Sequence, residues 1–395
     1  MVLVALASMT LPAVWKTDFL WSSVLLVAGV IFGLVLPSRV LAIRRLRRPM
    51  QRLLVVGTSP LARRLVDILE TQPEGRHEIA GVVGDAADAW GERKLRGPLA
   101  SLDKIIDEVQ PDRIVVALAD WRRVPTLELL NARAHRGIPV QDVAEAYERL
   151  TGKLAIEALT PTHLLFSDGI RPSRLSLAVR RGFSFLVAGV GLLLIVPLLG
   201  LIAVAIKLDS PGPVLFAQRR TGLRGKSFTL YKFRTMHPTD RPPSEWVRDN
   251  EHRITRLGRW LRRFWLDELP QLFNILRGDM NLVGPRPHPS SNFELLTLVA
   301  RNAPDCGLAL PYYFLRCTVR PGLTGWAQVR TGYANDLDEE IEKLRYDLYY
   351  LKHQSFWFDL RIILATLRDM LGGQPSKHRP TPSDHRVWGP AERRA

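Results

Sequence analysis

Hydrophobic and polar positions divide the chain into stretches of different period. Phe19 to Leu36 is apolar almost without interruption, about 18 residues against the ~20 that cross a bilayer as a helix. A shorter apolar start, Met1 to Trp15, is broken by Pro12 and reads as a half-membrane segment or the remnant of a longer helix; the basic segment of a cleaved signal peptide does not precede it. From residue 51 to about 147 the pattern alternates. RLLVVG, EIAGVVGD and DRIVVALA are short strand-like runs, and PLARRLVDILE, SLDKIIDEV and VPTLELLNARAHRG are helical segments between and after them. Continuous apolar strands alternating with helices predict a parallel sheet covered on both faces, a Rossmann-like α/β domain.

Leu150 to Pro172 reads as a linker with strand-like and turn features. Phe183 to Ile206 is the second membrane-class run, about 36 Å long as a straight helix against a ~30 Å hydrocarbon core. Pro197 divides it, with Gly189, Gly191 and Gly200 nearby. Charge then decides orientation. Arg39, Arg44, Arg45, Arg47 and Arg48 follow the first run and place that end in the cytoplasm. The second run has Arg171, Arg174, Arg180 and Arg181 before it and Lys207, Arg219, Arg220, Arg224 and Lys226 after it, so both of its ends are expected on the cytoplasmic side. Residues 183–206 are therefore expected to form a re-entrant helix-break-helix. The layout is a membrane region at 1–48, the Rossmann-like domain at 49–150, a linker at 151–172, a mainly α-helical (α+β) domain with the re-entrant helix at 173–372, and a disordered tail at 373–395.

The net charge of +16, from 55 basic against 39 acidic residues, implies an anionic partner. Basic residues sit beside long apolar runs and no finger, homeodomain or RNA-recognition pattern occurs, which favours anionic lipid and phosphorylated substrates over nucleic acid. Cys306 and Cys317 have no neighbouring ligand pair and read as free or buried thiols, in keeping with a reducing compartment. His237, His252 and His288 lack metal-ligand spacing and read as loop residues. In the Rossmann-like domain, the turn Gly57-Thr58-Ser59-Pro60-Leu61-Ala62 has a glycine for the tight turn and an alanine for close helix packing. Ser59 replaces the middle glycine of a dinucleotide fingerprint, although Asp85 stands where an acid could meet a ribose. A regulatory or docking domain without nucleotide is the preferred reading.

The densest chemistry lies in Arg259 to Pro287, RWLRRFWLDELPQLFNILRGDMNLVGPRP. Leu266, Leu269, Leu272, Phe273 and Leu276 have helical spacing, which places Asp267 and Glu268 near a helix start. Adjacent residues on a helix do not face each other, so the two carboxylates are expected to have separate tasks. One can attack phosphorus and its neighbour can hold Mg²⁺, while Arg262 lies about a turn away. An acidic helix start that complements the dipole would look the same. Upstream, Asp209 to Pro213 forms a rigid turn, Gln218 to Lys226 a Gly-containing basic loop, and FTLYKFRTM a strand. Lys232 and Arg234 share one face of that strand, suited to a pyrophosphate or to a solvated face near headgroups. Downstream, Gly322, Gly325 and Trp326 mark a tight turn, with Trp326 structural or base-stacking. Asp336 to Tyr350 and Phe356 to Leu371 are amphipathic helices, and Tyr346, Tyr349 and Tyr350 are expected to pack at the membrane interface.

YKFRTM, LDELPQLFNILRGDMNLVGPRP, VRPGLTGWAQV and YDLYYLKHQSFWFDLRIILAT occur in this order behind a broken hydrophobic segment. Together, over about residues 170 to 372, they resemble the bacterial sugar transferase family, the monotopic polyprenyl-phosphate phosphoglycosyl transferases. The whole layout resembles the larger, exopolysaccharide-initiating members with a Rossmann-like domain, although those carry several spanning helices where this chain offers one. LLFSDGI and PYYFLR are similar to the subgroup that accompanies exosortase-type systems. The resemblance implies transfer of a phosphosugar from a nucleotide diphosphate sugar, usually a UDP-sugar, to polyprenyl (undecaprenyl) phosphate at the inner membrane, and it admits a homodimer. It assigns Asp267 as nucleophile and Glu268 as Mg²⁺ ligand, with Arg262 and Lys232 on phosphate. Pro285-Arg286-Pro287 and Arg320-Pro321-Gly322 would shape the nucleotide side. The competing readings are a non-catalytic membrane scaffold and a membrane-tethered nucleotide-sugar oxidoreductase. Against the latter stand the incomplete glycine fingerprint and the missing Tyr-x-x-x-Lys pair.

Overall fold

The computed structural model describes residues 50–71, 77–84, 95–118, 124–156, 173–237, 252–291, 293–294, 310–331 and 337–372. The expected membrane region 1–48, Asp85, the LLFSDGI segment, Cys306 and the tail 373–395 lie outside them.

The first half is a five-stranded sheet in the order β3-β2-β1-β4-β5, parallel throughout. Its strands are β1 (Gln51–Val56), β2 (His77–Val83), β3 (Leu95–Gly97), β4 (Arg113–Val116) and β5 (Val140–Asp142). The short β3 and β5 add to the three strands that the apolar runs predict. Four helices cover the sheet: α1 (Pro60–Thr71), α2 (Leu102–Val109), α3 (Thr126–Ala134) and α4 (Val143–Thr151). Because strand side chains alternate, Leu53 and Val55 join α1 and α4 in one buried layer, while Leu54 and Val56 join α2 and α3 in another. Ser59 Oγ accepts from Ala62 N at the start of α1, and Ser59 N donates to Ala117 O, which draws the turn after β1 onto the end of β4. Asp142 caps α4, accepting from Ala144 N at 2.8 Å, and Gly152 ends it at φ +70°.

The second half is organised on α5 (Arg174–Asp209), a 36-residue helix capped by Ser173 and carrying Pro197 inside it. At 1.5 Å per residue it is about 54 Å long. Arg180, Ser184, Ala188, Ile202 and Ile206 form a buried stripe along it. That stripe packs on the rest of the domain near both ends: Ser184 Oγ accepts from Leu282 N, Ala188 meets the core around Leu272 and Ile275, and Ile202 and Ile206 meet Phe233 and Leu261. Near the N-terminal end, Arg180 is clamped by Asp359 at 2.6 Å, and Arg181 donates to Ile275 O at 2.7 Å and Met280 O at 2.9 Å. The opposite side of α5 is apolar and bare, with Leu193 76% and Leu194 73% exposed. This is the one helix among the described residues long and apolar enough to cross a membrane.

Around α5 lie the antiparallel hairpin β6 (Leu215–Thr221) and β7 (Ser227–Phe233), the helices α6 (Arg256–Arg263) and α7 (Gln271–Arg277), and the parallel pair β8 (Asn281–Val283) and β9 (Gly322–Thr324). Helices α8 (Trp326–Arg330), α9 (Leu337–His353) and α10 (Phe356–Gly372) complete the domain. Four expectations change here. The break expected at Pro197 is absent: Arg174–Asp209 is one helix that runs through the proline, which a long apolar helix tolerates. The basic loop expected from Gln218 is strand as far as Thr221 and turns only at Gly222. The carboxylate pair occupies a 3-10 turn, Leu266–Glu268, ahead of α7 rather than the first turn of a helix. Tyr346 and Tyr350 are buried in the core with Trp326 and Phe358, so the aromatic end of α9 meets protein rather than lipid. The helix is amphipathic as its spacing predicts, but its apolar face lies against the protein core.

The halves are joined. Trp326 Nε1 donates to Gly152 O at 2.8 Å, Leu154 N donates to Arg345 O, and Lys352 pairs with Glu148 at 2.8 Å. Leu154 and Ile156 fill an apolar cluster with Tyr313, Leu344, Leu348 and Leu351.

Candidate active site

Two clamps hold the Asp267–Glu268 turn. The first is the close approach of α6 to the end of β7. A Cβ on Gly258 would lie 2.2 Å from Thr235 O, so only glycine allows this crossing. Thr235 also binds the helix through polar contacts: its carbonyl accepts from Thr255 N, and its hydroxyl accepts from Arg262 Nε at 3.0 Å. The second clamp is Asn274 on α7, fully buried, which donates to Thr229 O at 2.7 Å and accepts from Tyr231 N at 3.1 Å. Between the clamps Trp265 takes φ +57°, a left-handed conformation unusual for a bulky residue, and redirects the chain into the 3-10 turn.

Asp267 and Glu268 are 7% and 6% exposed, so neither is a solvated acidic helix start. Burial first, and then repulsion by Glu268, pushes the Asp267 carboxyl up to about 6, against the pull of Lys232, Arg262 and Arg286. Glu268 Oε1 accepts from Arg286 Nη2 at 2.9 Å, while Oε2 is buried without a hydrogen-bond partner. An unsatisfied buried carboxylate oxygen beside a second carboxylate is the donor set a hard divalent cation takes when phosphates and water complete its shell. Among the described residues no cluster of three or more acidic, His or Cys side chains could enclose a metal alone.

The cations are divided by position. Lys232 lies on the carboxylate side, its ammonium 5.3 Å from the centre of the Phe216 ring. Burial, then the charges of Arg220 and Arg286, lower it to about 8, with Asp267 and Glu268 opposing. Arg262 acts on Asp267 through space. Arg234, expected beside Lys232, falls just past the end of β7 and turns the other way: it is buried and donates to Ser210 O at 2.7 Å and Ser210 Oγ at 2.9 Å, holding the end of α5. Arg320 donates to Gly278 O at 3.0 Å and so fixes the turn after α7.

Pro285, Arg286 and Pro287 cross the Arg320–Gly322 turn at backbone distance. Gly322 N donates to Pro285 O at 2.9 Å, and a Cβ on Gly322 would meet Gly284 N at 2.1 Å. Pro287 O accepts from Arg220 Nη1 at 2.9 Å. A shallow open cleft adjoins this crossing, lined by Thr221, Arg286, His288, Phe293, Tyr313 and Arg316 among others. Behind it Arg316 is buried between Glu340 at 2.8 Å and Asp347 at 2.7 Å. His288 is not a plain loop residue. Burial and then Arg316 hold it well below its usual range, and neutral it sits 3.2 Å from Glu340. Arg220, Thr235, Asn274 and Arg316 are the functional surroundings that sequence reasoning missed, because their partners are distant in the chain. Trp326, buried and bonded to Gly152 O, is structural.

This layout recurs in known sequences. The bacterial sugar transferase profile matches residues 175–373. The chain is 39% identical over 267 residues to UDP-N-acetylgalactosamine-undecaprenyl-phosphate N-acetylgalactosaminephosphotransferase of Aeromonas hydrophila, covering 67% of this chain and 60% of that relative. It is 31% identical over 319 residues to UDP-glucose:undecaprenyl-phosphate glucose-1-phosphate transferase of Escherichia coli (strain K12), covering 79% of this chain and 66% of the relative. Against undecaprenyl-phosphate glucose phosphotransferase of Komagataeibacter xylinus it is 41% identical over 194 residues, 48% of this chain and 35% of the relative. The chain thus spans less than two thirds of the length of each of these three. With the matched region covering α5 and every residue of the carboxylate site, the chain belongs to the bacterial sugar transferase family.

Proposed function

We propose that the chain is a membrane phosphoglycosyl transferase that moves a phosphosugar from a UDP-sugar to undecaprenyl phosphate and so initiates exopolysaccharide synthesis. The observation that carries the reading is the buried Asp267–Glu268 turn with Lys232, Arg262 and Arg286 converging on it. The printed activities of the relatives, transfer of sugar phosphates to undecaprenyl phosphate, support it. In the first half-reaction an Asp267 oxygen attacks the phosphorus that bears the sugar. The bond from that phosphorus to the bridging oxygen breaks, and uridine monophosphate leaves with the electron pair. In the second, an oxygen of undecaprenyl phosphate attacks the same phosphorus and the Asp267 carboxylate is restored. Lys232, Arg262 and Arg286 offset charge on the transferring group, which phosphoryl transfer requires more than proton movement. Glu268, with its unpartnered Oε2, would hold Mg²⁺, which when bound would neutralise phosphate charge.

The reading places the site at the cytoplasmic face of the inner membrane, with residues 183–206 of α5 re-entrant. Its support is the buried stripe of α5, which meets one protein body near both ends while the other side is left for lipid. The α/β half is read as a Rossmann-like docking or regulatory domain without nucleotide. In support, Ser59 occupies the start of α1, where a dinucleotide's pyrophosphate would sit, and Ser59 N is committed to Ala117 O.

Purified full-length chain with Mg²⁺, radiolabelled UDP-sugar and undecaprenyl phosphate should label the lipid and release uridine monophosphate. Asp267→Asn should abolish both. Labelling that survives the substitution removes Asp267 as nucleophile, and no labelling across a donor panel favours the scaffold reading.

A further inference from the structure

The transferase reading uses only one arginine of α6. Arg262 turns inward, toward Thr235 and Asp267. Arg256, Arg259 and Arg263 turn outward, and at 100° per residue they share one face of the helix with Trp260. All four are exposed, Trp260 at 52%. None of the three arginines pairs with a carboxylate among the described residues; Arg263 meets only the Phe264 ring, which in turn contacts Trp260. The other face of α6 is apolar: Leu257 and Leu261 pack against Ile202 and Ile206 of α5. Leu201, Val204 and Leu208 are exposed on the reverse side of α5 from this contact. α6 is thus anchored on the C-terminal part of the long apolar helix, with its arginine face turned away from it.

Arginines that have no carboxylate partner among the described residues, set around an exposed indole on a helix anchored to a long apolar helix, suit one environment. Guanidinium groups pair with phosphates, and an indole prefers the headgroup layer, where its ring is buried and its N–H stays wet. We propose that the outward face of α6 docks on the headgroups of anionic phospholipids, with Arg256, Arg259 and Arg263 on their phosphates and Trp260 in the headgroup layer. Because Arg262 projects from the same two turns, docking fixes the roll of α6 and holds Arg262 against Asp267. The lipid composition beneath the enzyme thereby sets the geometry of the site. The docking is independent of the transferase reading; only its effect on turnover rests on that reading.

The test uses full-length chain in nanodiscs of phosphatidylcholine with and without phosphatidylglycerol. Electron paramagnetic resonance of spin-labelled lipids measures the preference for immobilising phosphatidylglycerol over phosphatidylcholine. That preference should fall by roughly threefold in the triple variant Arg256→Gln/Arg259→Gln/Arg263→Gln and be kept by the corresponding triple lysine variant, since near-surface charge drives the attraction. Turnover of the wild type should rise with phosphatidylglycerol, and that of the glutamine variant should not. Unchanged turnover of the glutamine variant in zwitterionic detergent shows that it is folded. A glutamine variant that keeps the wild-type lipid preference overturns the proposal. If no form turns over in detergent, the transferase reading fails, circular dichroism replaces turnover as the check on folding, and the lipid preference still decides the docking surface.

Discussion

Arg286 Nη2 stands 2.9 Å from Glu268 Oε1 and ties the Pro-Arg-Pro turn to the second carboxylate of the site. Glu268 is buried and Arg286 only partly so, which makes the arginine the solvent-side wall of the carboxylate pair. Arg286→Gln should lower kcat/KM for the UDP-sugar about 100-fold, or about 2.7 kcal/mol, because it leaves a buried carboxylate without its counter-charge. Arg286→Lys should recover only part of this, since a point charge lacks the planar fork. Steady-state kinetics of both variants checks it.

Lys232 is lowered to about 8, by burial first and by Arg220 and Arg286 next. It is a cation below that value and neutral above it, so phosphate binding through it should weaken as pH rises through about 8. A kcat/KM profile should show this alkaline fall. Lys232→Arg should remove the fall over the same range, and Arg220→Gln, which takes away a repelling charge, should move it to higher pH. A profile flat to pH 10 in the wild type excludes Lys232 as a titrating phosphate contact.

Asn274 is fully buried and fastens α7 to β7 through Thr229 O and Tyr231 N, and it also donates to Asp279 just beyond α7. Asn274→Ala leaves a buried amide and a buried carbonyl unpaired and should cost about 3 kcal/mol. A lowered midpoint of thermal unfolding in detergent is the expected result, with loss of turnover at temperatures where the variant remains folded.

Arg180, Asp359, Tyr350 and Gln354 form a buried polar knot that secures α5 to α9 and α10. Arg180→Met alone should destabilise by about 3–5 kcal/mol, because Asp359 is left charged and unpaired. Adding Asp359→Leu should recover much of the loss. Chemical denaturation of the single and double variants gives the comparison.

Cysteines at Leu175, in the first turn of α5, and at Lys226, beyond its other end, both occupy exposed positions. A membrane-impermeant maleimide should reach both from the cytoplasmic side only. Reaction from opposite sides would mean that α5 crosses the bilayer.

Legibility followed range. Alternation such as Leu53 and Val55 against Leu54 and Val56 is a local signal, and it predicts the α/β sheet from its apolar runs. Leu95–Gly97 and Val140–Asp142 are too short to carry a period, so their strands appear only once neighbours pair with them. The carboxylates were legible as a local motif. Their setting was not: Arg220, Thr235 and Asn274 are assigned by partners far along the chain. Lys232 and Arg234 differ by two residues yet serve different sites, the carboxylate pair and the end of α5, because the strand stops between them. Tyr346 and Tyr350 mark a limit of periodicity, which identifies an apolar face without saying whether lipid or protein lies against it.

The contact between Trp326 and Gly152 gives the α/β half a further task. The indole N–H, the Lys352 ammonium and an apolar hollow floored by Leu344 and Leu348 are all finished by residues 148–156. A transferase half released before residue 173 would carry an open seam along α9, with a hydrogen-bond donor and greasy side chains newly facing water. Such a fragment would seek a lid, from detergent, from lipid or from another copy of itself. The α/β half serves as that lid, closing the seam through Glu148, Gly152, Leu154 and Ile156.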